Sequence, residues 1–147
     1  MYEQDIETPE EELKRADHLV YVSLKYTRTC DVIKNAIKRL IAAFELSIEN
    51  YLEYLRKSKK INEVPASVKE RALMVKKLIG NPVKKYMILY NLLKRIDKTD
   101  YTATEEFRKN VTLTTKESKP IKVKVEDLIN YLNATKDFAS FMNEKSK

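Results

Sequence analysis

Glycine occurs once in 147 residues, at Gly80. A chain with one glycine cannot build a Gly-rich phosphate loop, a dinucleotide fingerprint or a strained nucleophile elbow, since each needs several residues free of a Cβ. It is also poorly equipped for the many tight turns of an all-β fold. Cysteine and histidine are equally scarce: Cys30 and His18 stand alone. No intrachain disulfide can form, and no Cys/His zinc site can be assembled from this chain's own residues. A carboxylate-bridged metal pair in a helical bundle would want Glu-x-x-His on two helices, yet Arg15 is the residue three before His18. Uninterrupted apolar runs are absent too, charge breaking each one well short of the ~20 residues a membrane span needs. Neither a cofactor nor a metal is implied.

The hydrophobic fraction of 43% and charged fraction of 35% suit a folded chain, and 147 residues suit one domain. Such a domain buries roughly two-thirds of the surface its unfolded chain exposes. The segment after Met1 carries Glu3, Asp5, Glu7, Glu10, Glu11 and Glu12. That is the opposite of a secretory leader, so the expected location is the cytoplasm. Formal charge is +7 and unevenly spread: residues 56–124 hold 19 Lys/Arg against 7 Asp/Glu. A basic middle of this kind can meet phosphates or an acidic partner, or simply form a solvated face.

Helical periodicity dominates. Thr8-Pro9-Glu10-Glu11 carries a cap, an N1 proline and a capping-box glutamate, predicting a helix over about 9–26. Leu13, Ala16, Val20 and Leu24 form its stripe, which Leu19 and Val22 widen. Thr27-Arg28-Thr29 interrupts it, although no Gly or Pro forces a break and continuity with the next helix stays open. From near Asp31, apolar residues from Ile33 to Leu55 hold a three-four spacing for some 40 Å of helix. Ser67-Val-Lys-Glu70 opens a third helix bearing Ala72, Val75, Leu78 and Ile79. Gly80-Asn81-Pro82 ends it and starts a fourth, with Asn81 as N-cap and with Val83, Tyr86, Met87, Leu89, Tyr90, Leu93 and Ile96 as its apolar face. Period-two patterning then appears at Val111–Thr114 and Ile121–Val125 around Lys116–Pro120, predicting a β-hairpin with a lysine-rich outer face. A last helix over about 126–143 carries Leu128, Ile129, Leu132, Phe138, Ala139 and Met142. The expected fold is therefore mainly α: one domain over 1–147, an up-and-down bundle of about five helices with a small hairpin near 111–125. Residues 1–8 are expected to be disordered.

Three constellations could carry chemistry. Glu45, Glu49 and Glu53 share one face of the long helix and read best as a solvated stripe, with Lys57 four residues past Glu53. The polar block Asp17-His18 through Asp31 places Asp17, Tyr21, Lys25 and Arg28 along one edge of a helix, with His18, Tyr26 and Asp31 beside it. As structure, the tyrosines would be half-buried and Arg28 paired with Asp31 or another carboxylate. As a site, Lys25 and Arg28 would donate to phosphate or RNA while the tyrosines offer stacking faces. A third knot, Arg95-Ile-Asp97-Lys-Thr-Asp100-Tyr101, could be Arg95 and its neighbouring carboxylates pairing at a helix end.

The long helix pair, Leu92-Leu-Lys-Arg95 followed by Asp100-Tyr101, and the final Ala134-Thr-Lys-Asp-Phe138 together resemble HEPN domains over about two-thirds of the chain. The resemblance implies a small helical bundle, homodimerisation and RNA-related work, either cleavage through Arg-x(4–6)-His or partnership with a nucleotidyltransferase. Arg95 matches the motif arginine, but the histidine slots hold Asp100, Tyr101 and Thr102, so the expected general acid–base is missing. The run from Asp17 to Asp31 also resembles the opening of small archaeal proteins of no assigned activity. The expectation is a non-catalytic, homodimeric interaction module that meets RNA or an RNA-processing partner. A ribonuclease using His18 with Arg28 or Arg95, and a structural subunit of a complex, are the alternatives.

Overall fold

The computed structural model describes residues 7–147, so the disorder expected at the start of the chain falls, for 1–6, outside the described residues. Thr8 is already engaged: its Oγ1 accepts the Glu11 N–H at 3.1 Å and caps α1 (Pro9–His18). A π turn (Leu19–Ser23) and α2 (Leu24–Thr27) continue the same helical rod. The widened turn has a packing cause. Ala16, Val20 and Leu24 are all buried at successive four-residue steps, and each step over-rotates a 3.6-residue helix by about 40°. An i→i−5 turn, closed by Leu24 N–H on the Leu19 carbonyl, absorbs that drift and keeps Val20 and Leu24 on the core. It also turns Tyr21 and Val22 outward, so Val22 does not widen the stripe.

The rod stops at Arg28, which adopts left-handed geometry (φ 32°, ψ 53°) while its N–H closes on the Leu24 carbonyl at 2.8 Å. Thr29 then caps α3 (Cys30–Lys57), the 28-residue central helix. Its inner face, from Cys30 through Ile33, Ile37, Leu40, Phe44, Ile48 and Leu52, is almost wholly dry. Around it pack α1, α4 (Val68–Ile79), α5 (Lys84–Lys98) and α6 (Val125–Lys145). Phe44 stacks on Phe138 of α6 with centroids 4.5 Å apart and meets Tyr90 of α5 at 5.5 Å, locking three helices together. Rings so buried are each worth roughly 2–3 kcal/mol of transfer free energy.

Ser67 Oγ caps α4 through Glu70 N–H at 3.1 Å. Gly80 terminates α4 with φ 78°, a conformation only glycine takes without strain. Asn81 does not cap α5: it opens a single 3₁₀ turn (Asn81–Val83), and Lys84 begins the helix proper. Leu78 is exposed rather than part of the apolar stripe, and Tyr86, Leu89, Ile129 and Ala139 are only half-buried.

The hairpin is present but has a third strand. β1 (Tyr101–Thr104), β2 (Thr112–Thr115) and β3 (Lys122–Val123) form an antiparallel sheet in that order, with Leu113 opposite both Ala103 and Val123. β2 is central and its Thr112, Leu113 and Thr115 are buried. Tyr101 therefore belongs to an edge strand rather than to the end of a helix.

Candidate anion-binding groove

The loop between β1 and β2 reaches back to the break between α2 and α3. Phe107 N–H donates to the Arg28 carbonyl at 2.8 Å, and a Glu106 carboxylate oxygen accepts the Cys30 N–H at 2.9 Å. Cys30 Sγ in turn donates to the Thr112 carbonyl at 3.3 Å. An acidic group at a helix N-terminus satisfies an otherwise orphaned donor and complements the helix dipole. Burial, helped by the Glu106 and Asp31 charges, pushes the Cys30 thiol up to about 11, so it is an inert packing group.

That clamp frames a groove of about 470 Å³ whose cationic wall comes from three separate segments: Lys25 and Arg28 from the first rod, Lys109 from the loop, and Lys124 from the entry to α6. Tyr21, Asn110 and Glu126 add polar edges, while Val20, Leu24, Val125 and Ile129 form its floor. Four cations face one carboxylate. Among the described residues none of the four has a carboxylate within ion-pair distance, unlike Arg15, Arg39, Arg71, Arg95 and Lys136. Like charges gathered without partners repel one another and raise the local positive potential.

The other sequence candidates disperse. Arg28 does not pair with Asp31; Asp31 instead accepts the Tyr101 hydroxyl at 3.1 Å, and Lys34 lies over the Tyr101 ring at 5.4 Å. Burial and this carboxylate hold the Tyr101 phenol above its usual value. Asp17 is bound by Lys136 of α6 at 2.8 Å and, with His18, lines a separate groove of about 720 Å³ between α1 and α6. Arg95 turns neither to Asp97 nor to Asp100 but to Glu117, at 3.0–3.2 Å, and Asp97 takes Lys38 at 2.9 Å. Asp100 contributes its backbone carbonyl to Lys116 N–H. Tyr21 is 47% exposed, close to the half-buried state expected, whereas Tyr26 at 83% is not half-buried. His18, Arg28 and Arg95 thus share no groove.

The acidic stripe of α3 is not simply solvated. Glu45 accepts the Tyr90 hydroxyl at 2.7 Å with Lys94 beside it, Glu49 faces Arg71, and Glu53 takes Arg56 rather than Lys57. The Glu45 and Glu49 contacts tie α3 to α5 and α4, while the Glu53 pair lies within α3. No cluster of three or more metal-ligating side chains occurs among the described residues, and no described helix is long and apolar enough to cross a membrane.

Lys109, Asn110 and Lys124 were outside the sequence candidates. Lys109 precedes Asn110 in a loop and Lys124 ends a strand pattern, so nothing local links them to Arg28. No protein-family model, curated protein or solved structure matches this chain.

Proposed function

We propose that this chain is a non-catalytic helical module that binds RNA through the phosphate backbone in the Lys25–Arg28–Lys109–Lys124 groove. The observation that carries the proposal is the gathering of four cations, none within ion-pair distance of a carboxylate among the described residues, from three distant segments onto one concave surface. Arrays of this kind gain affinity by releasing condensed counterions from a polyanion. The HEPN resemblance points to the same ligand, and to an RNA-processing or nucleotidyltransferase partner as the company such a module keeps.

Binding rather than cleavage is favoured because the sole histidine lines a different groove from Arg28, and Arg95 is held by Glu117. General acid–base catalysis needs its groups within hydrogen-bond reach of one reacting site. A homodimer is part of the proposal. Its seam is not expected on α3, whose outward positions Asp31, Asn35, Lys38, Arg39, Glu49 and Asn50 are all polar. Exposed Leu73, Leu78 and Ile88 on α4 and α5 are better placed to supply apolar area.

The test is RNA affinity against salt for wild type and for Lys25→Glu with Lys109→Glu. Wild type should bind at low salt, with log affinity falling linearly in log salt. Each cation lost should reduce that slope by about 0.7. No binding at low salt, or a charge-reversed groove that binds equally well, would end the proposal.

A further inference from the structure

We infer that the groove takes an unpaired strand, with bases stacking on Tyr26 and Phe107, whose backbones adjoin the groove residues Lys25, Arg28 and Lys109; the inference rests on the RNA-binding proposal above. The two rings are the most exposed large hydrophobic side chains of the described residues, Tyr26 at 83% and Phe107 at 76%. Neither packs against the core. Chain connectivity brings their backbones together: Phe107 N–H is bonded to the Arg28 carbonyl, two residues beyond Tyr26, and Lys109, two residues beyond Phe107, lines the groove with Arg28.

Phe107 is held there against two costs. Its ring meets water, and its backbone sits at φ 66°, a region that bulky residues avoid. Glu105, at φ 57°, shares the strain. The loop is nonetheless fastened at several points: Glu106 to Cys30 N–H, Phe107 to Arg28, Arg108 N–H to the Glu105 carbonyl at 3.1 Å, and Val111 N–H to the Arg108 carbonyl at 3.1 Å. A fixed loop that presents an apolar ring to solvent, close in the chain to cations without an ion-pair partner among the described residues, has the two parts of a single-strand platform, a π face and a backbone-tracking charge. A duplex keeps its base faces stacked inside and would gain nothing from these rings.

The experiment measures dissociation constants by fluorescence anisotropy for three ligands: an oligouridylate of about a dozen nucleotides, a blunt RNA duplex of equal length, and inorganic polyphosphate. Proteins are wild type, Tyr26→Ala, Phe107→Ala, Phe107→Leu and Phe107→Trp. Both positions are solvent-exposed, and thermal melts confirm that each variant folds. Wild type should prefer the single strand. Each alanine variant should weaken it by roughly 5- to 150-fold, the range for one base–aromatic stack. Polyphosphate binding and the salt slope should not move. Phe107→Leu should behave like the alanine variant, since it keeps apolar area but loses the π face, while Phe107→Trp should retain affinity. Equal affinity for strand and duplex, with both alanine variants silent, would overturn the inference and assign the rings to a protein partner, leaving RNA binding intact. Failure of all three ligands to bind would instead sink the RNA-binding proposal itself.

Discussion

Replacing Arg28 by glycine should stabilise the protein or leave it unchanged while weakening RNA binding. The left-handed conformation at Arg28 costs a residue with a Cβ about 1–2 kcal/mol. Glycine removes that strain but adds roughly 0.5–1 kcal/mol of unfolded-chain entropy. The difference is a gain of about 0–1.5 kcal/mol. The Arg28 side chain has no carboxylate within ion-pair distance among the described residues, so no ion pair is lost, and removing one of four clustered cations relieves repulsion. At this chain length the gain corresponds to a rise in Tm of up to about 5 °C. Urea unfolding and calorimetry on wild type, Arg28→Gly and Arg28→Ala provide the measurement. The alanine variant keeps the strain and should sit at or slightly below wild type. On the binding side, anisotropy titrations should show the log–log salt slope smaller by about 0.7 in both variants. A glycine variant destabilised by more than about 1 kcal/mol would mean that the guanidinium holds the fold together. Unchanged RNA affinity would remove Arg28 from the site. Either result refutes the idea that strain is tolerated here for the sake of a ligand.

Alkaline pH should destabilise the protein progressively from about pH 9. The Cys30 thiol rises from 9.0 to about 11, and burial plus Glu45 raises the Tyr90 phenol well above 10.0. Groups raised in the folded state add stability that is full below their unfolded values and is lost as pH climbs toward the folded ones. Urea midpoints measured across pH 8–12 should fall, and the Tyr90→Phe variant should fall less steeply. Glu12→Ala should destabilise by roughly 1–3 kcal/mol in urea unfolding: Glu12 is fully buried between Arg15 and Arg39, yet both guanidiniums stay partly hydrated, which discounts the full cost of breaking a buried pair. Phe138→Ala should cost about 3–5 kcal/mol by the same assay, because Phe44 and Tyr86 would face a cavity.

Local grammar made the helices legible. Thr8 and Ser67 cap where their spacing to Glu11 and Glu70 predicts, and Gly80 ends α4 with a positive φ. The long apolar stripe of α3 is one continuous helix. What stayed hidden depends on partners remote in sequence. The helix break at Arg28 contains neither Gly nor Pro; it is held by Glu106 and Phe107, more than seventy residues away. β1 is not legible in the sequence because Tyr101–Thr104 lies at the sheet edge and is polar on its outer face, so its pattern merges with the tail of α5. The π turn answers the need to keep Val20 and Leu24 inward, a demand set by α3 and invisible to periodicity alone. Of the ten site candidates, Tyr21, Lys25 and Arg28 line the groove and Tyr26 does not, whereas Lys109 and Lys124 belong to it only because the chain folds back.

The strap from Glu105 to Thr112 has a consequence for the order in which the molecule matures. During synthesis, both leading helices emerge long before the segment that latches their junction, so the elbow between them stays unfinished until about three-quarters of the chain has left the ribosome. Whatever the groove grasps, it can be grasped only by a nearly completed protein, and fragments ending ahead of Glu106 should be blind to it.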